Sequence, residues 1–325
     1  MSGSGTTGMT RVGAIDCGTN SVKLLVVDLP DPPSDDPRDA RPAEEVLRQG
    51  WMTRLGQGVD ATGEIAPEAL ERTLDAVREI AAIVEQHGCE RLRFVATSAA
   101  RDASNGDEFR QGVRDILGVE AEIVPGAEEA TLSFAGAVRG LAAAGVELEE
   151  PVLVVDIGGG STELVLGRGG GVQQAVSLDV GSVRITERVL TDDPPTGSQV
   201  EEATAWLDEV IAGAAVDVRD ARTVVGVAGT VTTLAAVARR QQDYDHDALH
   251  GVRLSAPEVA ETTGRLLAMP IAERKELDAM HPGRADVIAA GALVLDRVLH
   301  RAEAGEVVVS AADVIDGIAW SLVQR

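Results

Sequence analysis

The sequence predicts an α/β protein made of two related domains that hold a ligand between them. Two segments of the same layout, 12–28 and 152–167, each combine a short apolar strand, a glycine-containing turn and a second strand. Their aspartates, Asp16 and Asp156, stand 140 residues apart, which is about the length of one domain. Elsewhere, strand-like apolar runs alternate with segments of helical periodicity. A duplicated fold with both turns facing one cleft is therefore expected.

The second turn has the composition of a phosphate-binding loop. Gly158, Gly159 and Gly160 allow a sharp turn in which backbone N–H groups can approach phosphate oxygens without interference from a Cβ atom. A carboxylate at a strand end suits Mg²⁺. Taken alone, the stretch is also compatible with a glycine-rich hairpin that only turns. The first turn repeats the layout with Gly18 and Ser21, and this repetition makes a pair of phosphate-binding turns the more specific interpretation. The polar residues of the second turn are Asp156, Ser161 and Glu163.

Composition and charge limit the possible partners. Of the 325 residues, 44% are apolar, which indicates a globular protein, and 2% are aromatic, so the cores must consist of Val, Leu, Ile and Ala. The formal net charge of −24 argues against nucleic acid as a partner, because phosphate-backbone binding relies on Lys and Arg. A polyanionic substrate would need Mg²⁺ and a local basic groove.

The cysteines, the apolar stretches and the amino terminus favour a soluble cytoplasmic protein. Cys17 and Cys89 show neither a zinc-site spacing nor a disulfide framework, and Cys17 is expected to be a small buried packing residue. No stretch approaches the ~18 apolar residues of a membrane span, so no membrane partner is expected. Residues 1–10 lack the charged start of a signal peptide and are expected to form a disordered tail.

Element order in the first half follows from apolar runs and turn residues. Pro67 suits the first turn of a helix, apolar residues from Leu70 to Val84 recur at helical spacing, and Gly88 ends the helix. Segment 30–42 is so rich in Pro and Asp that a long exposed loop is expected. The predicted strands are 11–16, 22–29, 45–54, 93–97 and 120–124, and the further helices are 108–117 and 126–141.

The second half is predicted to alternate in the same way. A helix entered through 179–184 places Arg184 and Arg188 near the cleft. Strands are predicted at 152–155, 164–166, 172–178, 222–227 and 307–310. Further helices are predicted at 199–215, from 228 onwards, at 257–267, in a long apolar segment ending at 300, and at 313–323.

Three further places combine polar groups with a suitable position, and each has a structural alternative. Arg101 follows a predicted strand, at the edge where α/β folds gather ligands, and could hold a phosphate or simply lie on the surface. Glu128 and Glu129 begin a helix, where they could complement the helix dipole or supply a general base. Gly229 and Thr230 lie in a third glycine turn at a helix N-terminus, which is another place for an anion.

Segments 15–21, 156–163 and 226–230 together resemble the motifs of the actin, Hsp70 and sugar-kinase superfold. A closer resemblance, from about Arg11 to the last residue, is to the exopolyphosphatases and guanosine pentaphosphate (pppGpp) phosphohydrolases. The stretches that support it are Ala-Thr-Ser-Ala-Ala-Arg at 96–101, Pro-Gly-Ala-Glu-Glu-Ala at 125–130, Asp-Ile-Gly-Gly-Gly-Ser-Thr-Glu at 156–163 and Arg-Ala-Asp at 284–286.

The resemblance implies two RNase H-like (actin-like ATPase) domains with an interdomain phosphate-binding cleft. We expect domain I at 11–136 and domain II at 137–325, with the closing helix able to pack back on domain I. Glu129 is then the implied general base, and Mg²⁺, or alternatively Mn²⁺, the implied cofactor. The implied metal ligands are Asp16, Asp156 and Glu163. The implied phosphate-binding residues, together with those of the third turn, are Thr19, Asn20, Ser21, Arg101, Gly158, Gly159, Gly160, Ser161, Gly229 and Thr230.

The resemblance leaves the substrate open. Longer members of the family carry additional helical domains after this core, so the implied short form favours short inorganic polyphosphate chains. A pppGpp 5′-phosphatase that produces ppGpp is the alternative within the family, because the turns contact only terminal phosphates. An actin-like regulatory protein that binds a nucleotide with little turnover is the alternative of another class. A homodimer is what the family suggests.

Overall fold

Two mixed β-sheets with flanking helices make up the protein. The computed structural model describes residues 8–31 and 43–323. The strands of the first sheet are β1 (Gly8–Cys17), β2 (Val22–Asp31), β3 (Glu44–Trp51), β4 (Arg91–Ala96) and β5 (Ala121–Ile123). Those of the second sheet are β6 (Val152–Ile157), β7 (Thr162–Arg168), β8 (Gly171–Leu178), β9 (Thr223–Val227), β10 (Arg253–Ser255) and β11 (Glu306–Val309).

The first sheet and its helices form the first lobe. Its strand order is β3-β2-β1-β4-β5, with β1, β2 and β3 antiparallel and β1, β4 and β5 parallel. Phe94 on β4 meets Phe109 edge-on, with ring centroids 6.0 Å apart, inside a core otherwise made mainly of aliphatic side chains. The helices of this lobe are α1 (Val59–Thr62), α2 (Pro67–His87), α3 (Ser98–Asp102) and α4 (Gly106–Leu117).

The second lobe repeats this topology. From one edge its order is β8-β7-β6-β9-β11-β10, which matches the first sheet strand for strand and adds β10 at the far edge. Again the first three strands are antiparallel, and the next two run parallel to β6. The predicted pair of RNase H-like domains is thereby confirmed. The helices that follow β8 in this lobe are α6 (Ser182–Arg188), α7 (Gly197–Ala212), α8 (Ala228–Ala238), α9 (His246–Leu249), α10 (Ala256–Ala268), α11 (Ile271–Lys275) and α12 (Ile288–Ala302).

Two helices cross between the lobes. Helix α5 (Gly126–Ala143) packs on the second sheet through residues such as Phe134, although it follows the first sheet in the chain. The last helix, α13 (Val314–Ser321), returns to the first sheet and packs Ile315 and Ile318 there. The domain boundary expected between residues 136 and 137 falls inside α5, so the chain changes lobes along a continuous helix.

Most predicted elements are present, and the differences have local causes. Gly8, Met9 and Thr10, expected in a disordered tail, instead begin β1, because they pair with the end of an equally long β2. Pro30 and Asp31 belong to β2, and the rest of the expected Pro/Asp loop lies outside the described residues. Five short elements, α1, α3, α9, α11 and β10, were not predicted. No helix in the described part of the chain is long and apolar enough to cross a membrane.

Glycines allow α5 and α13 to pack in close contact. A Cβ atom at Gly136 would lie 2.1 Å from the carbonyl oxygen of Asp313, and one at Gly317 would lie 2.0 Å from that of Leu132. Both distances are well below van der Waals contact with backbone atoms that have little freedom to move. Only glycine fits at these two positions, so the link between the lobes depends on them.

We therefore expect Gly317→Ala to destabilise the protein. The added methyl group must push α13 away from α5, and overpacking of this kind costs about 1–3 kcal/mol of the free energy of unfolding. Chemical denaturation followed by circular dichroism measures it. Gly264→Ala is the matched control, since Gly264 lies in α10 with open space around it. That variant should gain about 0.4–1 kcal/mol, and equal effects of the two substitutions would contradict the close helix contact.

Candidate active site

Two loops of the same construction meet between the lobes. The first, residues 18–21, joins β1 to β2, and the second, residues 158–161, joins β6 to β7; we call them the phosphate loops. In each, the first residue's N–H donates to the carbonyl of the fourth, at 3.0 Å in both loops. The loops touch, because a Cβ atom on Gly160 would lie 2.9 Å from Thr19 Oγ1. The hydroxyl of Thr19 lies 2.9 Å from that of Ser98.

Two carbonyl groups in each phosphate loop accept hydrogen bonds from backbone N–H groups outside the loop. The N-terminus of α6 donates to the carbonyls of Gly158 and Gly159, at 3.0 and 2.9 Å. Segment 54–56 donates in the same way to the carbonyls of Thr19 and Asn20, at 2.9 and 3.0 Å. In a trans peptide the following N–H points away from the carbonyl. The N–H groups that follow these four carbonyls therefore point away from α6 and from segment 54–56, and they can form a concavity suited to phosphate oxygens. They belong to Asn20, Ser21, Gly159 and Gly160.

The strand register next to each loop pairs an aspartate with a second charged residue. Asp16 faces Lys23 across β1 and β2, and Asp156 faces Glu163 across β6 and β7. Lys23 and Glu163 stand 140 residues apart, at equivalent places in the two copies. The ammonium group of Lys23 lies 3.8 Å from Asp16 and 2.6 Å from Asp313. The first copy therefore contains its own countercharge, whereas the second pairs two acids.

Four carboxyl groups are buried in this cleft with strongly raised proton affinity. Asp16, Asp156, Glu129 and Glu163 are all at most 8% exposed. Burial raises the pKa of Asp16 to about 7 and that of Asp156 to about 6. Burial, together with the charges of Asp156 and Asp16, raises the pKa of Glu129 to about 8. The pKa of Glu163 is raised well above its usual range, first by burial and then by Glu129.

Hydrogen bonds hold three of these carboxyl groups in different ways. The hydroxyl of Ser133 donates to Asp156 at 2.6 Å, and that of Ser177 donates to Glu163 at 2.7 Å. Glu129 receives a single long contact of 3.4 Å from the guanidinium of Arg101, which also donates to the carbonyl of residue 124 at 3.1 Å. Of these three carboxyl groups, that of Glu129 accepts the longest hydrogen bond, which leaves it able to accept a proton.

The third glycine turn lies beside a large cavity. Gly229 lies directly under the guanidinium of Arg284, since a Cβ atom there would be 2.1 Å from Arg284 Nη1. Thr230 is buried against Gly291 of α12. Gly229 and Arg284 line a cavity of about 920 Å³, and Thr230 does not. The cavity borders the carboxylate cluster through Lys23 and Asp313.

Sequence reasoning left several of these residues without a role. Lys23 could have been found, because it occupies in the first copy the place that Glu163 has in the second. Ser133 lies four residues after Glu129 on the same helix, and this spacing puts both on one face. Ser177 reaches Glu163 only through the pairing of β7 with β8, and Asp313 is brought in by the return of α13. No local sequence pattern predicts either of these two contacts.

The donor chemistry of the cluster fits a hard divalent cation. Carboxylate oxygens are the ligands that Mg²⁺ prefers, and Mg²⁺ usually combines one or two of them with waters and substrate phosphates. Asp156 and Glu163 are acids paired across two strands, whereas Asp16 faces Lys23. The described residues contain no group of three or more His, Cys, Asp or Glu side chains that could hold a metal ion by themselves. A cation here would take its remaining ligands from water and substrate phosphates.

We expect Glu129→Gln to stabilise the metal-free protein increasingly as the pH rises. A raised pKa means that the folded state binds the proton more tightly than the unfolded chain, so the ionised carboxyl costs stability as the pH rises from about 4.5 to about 8. Gln does not ionise and avoids this cost, which is of the order of a few kcal/mol, because a tenfold change in proton affinity corresponds to about 1.4 kcal/mol. Urea unfolding with EDTA at pH 4.5 and pH 8.5 measures the difference.

Glu128→Gln is the control for this comparison. Glu128 is half-exposed and forms an ion pair of 2.6 Å with Arg93, so its amide should leave stability unchanged or lower it at pH 8.5. The prediction would be contradicted if the difference in unfolding free energy between Glu129→Gln and wild type were the same at pH 8.5 as at pH 4.5. The carboxyl of Glu129 would then ionise without loss of stability.

Comparison with known proteins shows the family to which the chain belongs. Residues 38–325 match the Ppx/GppA phosphatase family. A Mycobacterium tuberculosis protein named exopolyphosphatase 2 is 46% identical over 326 residues, covering 97% of this chain and 99% of its own. A crystal structure of an exopolyphosphatase-like protein superposes with a TM-score of 0.88 at 43% identity, covering 97% of this chain and 98% of that chain. A crystal structure of an exopolyphosphatase from Cytophaga hutchinsonii superposes with a TM-score of 0.84 at 25% identity, covering 97% of this chain and 98% of that chain. The resemblance found in the motifs is confirmed, and the chain belongs to the Ppx/GppA phosphatase family.

Proposed function

We propose that this phosphatase hydrolyses inorganic polyphosphate from its end and releases orthophosphate, with Glu129 as general base. One observation above all supports the proposal. The carboxyl of Glu129 is buried beside the two phosphate loops, with its pKa raised to about 8 and only a long contact to Arg101. A general base works best when its pKa lies near the working pH.

In this mechanism the phosphate loops bind the oxygens of the terminal phosphate. Glu129 takes a proton from a water molecule as the water oxygen bonds to the terminal phosphorus. The bond from that phosphorus to the bridging oxygen breaks, and its electron pair leaves with the shortened chain. Arg101, close to Glu129, is placed to hold a phosphate oxygen. Phosphoryl transfer of this kind needs positioning and charge neutralisation more than covalent chemistry.

Asp16, Asp156 and Glu163 are the residues that we propose hold Mg²⁺, with Mn²⁺ as an alternative. When bound, the cation would neutralise negative charge on the phosphate oxygens. Support comes from the surplus of acid in the second copy of the motif, where Asp156 faces Glu163 across two strands. Lys23 places a positive charge 3.8 Å from Asp16.

The remainder of the substrate chain would lie in the cavity beside the third glycine turn. Lys23, Arg48 and Arg284 bring positive charge to its walls. In the described part of the chain, no carboxylate lies within ion-pair distance of Arg284. The cavity also carries acidic residues that would repel a polyanion extending further, and this favours short polyphosphate chains. These acidic residues are Glu45, Asp243, Asp245, Asp247 and Asp278.

A pppGpp 5′-phosphatase is the second candidate, and the cavity supports it as well. Its volume of about 920 Å³ is at the upper end for a small-molecule site. Tyr244 contributes a half-exposed aromatic ring, on which a base could stack, and its hydroxyl donates to Thr232 at 2.8 Å. The five phosphates of pppGpp would still present a terminal phosphate to the same two loops.

Phosphate release with Mg²⁺ should be measured in parallel on short polyphosphate, long polyphosphate, pppGpp and ATP. We expect turnover to be highest on short polyphosphate and to fall about 10²–10⁴-fold in Glu129→Gln, as is usual when a general base is removed. Glu128→Gln, one residue away, should retain turnover. Near-full activity of Glu129→Gln would contradict the assignment of the base. Release from pppGpp alone would favour the second candidate, and silence on all four substrates with ATP still bound would indicate a nucleotide-binding regulatory protein.

We also propose that the enzyme works in the cytoplasm as a homodimer. The first part is supported by two free cysteines, Cys17 buried and Cys89 half-buried. The second part rests on the family alone. Sedimentation velocity over a range of concentrations measures the state of association, and a single monomeric species at all of them would contradict the dimer.

A further inference from the structure

Four charged residues join the lobes directly behind the phosphate loops. Asp60 of α1 and Asp102 of α3 come from the first lobe, and Arg184 and Arg188 of α6 come from the second. We call these four residues the latch. Arg184 pairs with both aspartates, at 2.7 Å from Asp102, and Arg188 pairs with Asp60 as well. The latch was visible in the sequence only as two arginines near the cleft.

Arg184 connects three parts of the site at once. Its Nε donates to the carbonyl of Gly160 in the second phosphate loop at 2.9 Å. Its two terminal nitrogens then donate to Asp60 and Asp102. Its backbone N–H also donates to the carbonyl of Gly159, at 3.2 Å. One side chain therefore uses the full fork of its guanidinium, which is rigid and planar, to fix a loop of one lobe to two helices of the other.

Solvent screens the Arg184–Asp60 pair of the latch poorly, although Arg188 and Asp102 are more exposed. The side chains of Arg184 and Asp60 are only 12% and 14% exposed. The space enclosed between the latch and the loops is about 20 Å³, with Thr19 and Gly160 among its walls, which is room for about one water molecule. This space is too small for a phosphate group, whereas the cavity beside the third glycine turn is large enough for several.

We infer that Arg184 is a positioning residue that holds the phosphate loops together in the ligand-free enzyme. With the carbonyl of Gly160 bound to its guanidinium, the next N–H points away from Arg184, as the N–H groups after Gly158 and Gly159 point away from α6. By drawing Asp60 and Asp102 to the same group, Arg184 keeps Thr19 in contact with Gly160. It also fills the space behind the loops, so a polyphosphate chain cannot continue there. The catalytic part of this inference rests on the proposed function.

Arg184→Met tests the inference, because Met keeps much of the side-chain volume and removes every hydrogen bond of the guanidinium. We expect the KM for short polyphosphate to rise about tenfold, with kcat changed less than about threefold, because the substrate must then draw the loops together itself. Independently of activity, hydrogen–deuterium exchange in the ligand-free protein should become faster in peptides covering 98–105 and 156–163. Asp60→Asn should also raise the KM and speed exchange. The double variant Asp60→Asn/Arg184→Met should raise the KM by less than the two single substitutions together, because both remove the same ion pair.

Arg297→Met is the matched control. Arg297 forms an equally close double contact with Asp208, at 2.7 and 3.0 Å, and its side chain is 16% exposed, but both residues lie within the second lobe. This variant should change neither the KM nor hydrogen–deuterium exchange in the peptides covering 98–105 and 156–163. Unchanged KM and unchanged exchange in Arg184→Met would overturn the inference, as would faster exchange spread evenly over the whole chain. If the wild type releases no phosphate from any substrate, the proposed function fails, and the exchange comparison still decides whether the latch holds the loops.

Discussion

The burial of four carboxyl groups close to one another is the constraint on which the rest of this structure depends. Asp16, Asp156, Glu129 and Glu163 approach one another from four elements and two lobes, with one lysine among them. Like charges in a dry site cannot all be ionised without a large cost. The surrounding structure responds with hydroxyl donors, with Lys23, and with carboxyl groups whose pKa is raised towards neutrality. A site built in this way favours the binding of a cation.

The two halves share a backbone and differ in charge. Both phosphate loops close with the same internal hydrogen bond, and in both loops two carbonyls accept hydrogen bonds from backbone N–H groups outside the loop. The difference lies one strand further on, where Lys23 in the first copy corresponds to Glu163 in the second. In the first half, the negative charge of Asp16 is therefore balanced by Lys23 of the same half. The second half has a surplus of acid, which is where a divalent cation with its phosphate ligand would be most favourable.

Much of the fold could be predicted because its signals are local. The strands beside the phosphate loops, the helix that begins at Pro67 and the repeat of Asp16 as Asp156 all follow from short patterns of apolar residues, glycine and proline. The exchange of α5 and α13 between the lobes could not be predicted in the same way, because it depends on Gly136 and Gly317 meeting from distant parts of the chain. Arg184 illustrates the same limit, since its place near the cleft was expected but its partners were not.

The central claim is that the carboxyl of Glu129 holds its proton near neutral pH in the ligand-free enzyme. The most direct test follows the side-chain carboxyl ¹³C resonance of Glu129 between pH 4 and pH 9 without metal, with the resonance assigned as the one absent from Glu129→Gln. We predict a titration midpoint near 8, far above the ordinary 4.5 of a glutamate. A midpoint near 4.5 would mean that the cluster is ionised and solvated at neutral pH, and would contradict the claim that burial and mutual repulsion govern this site.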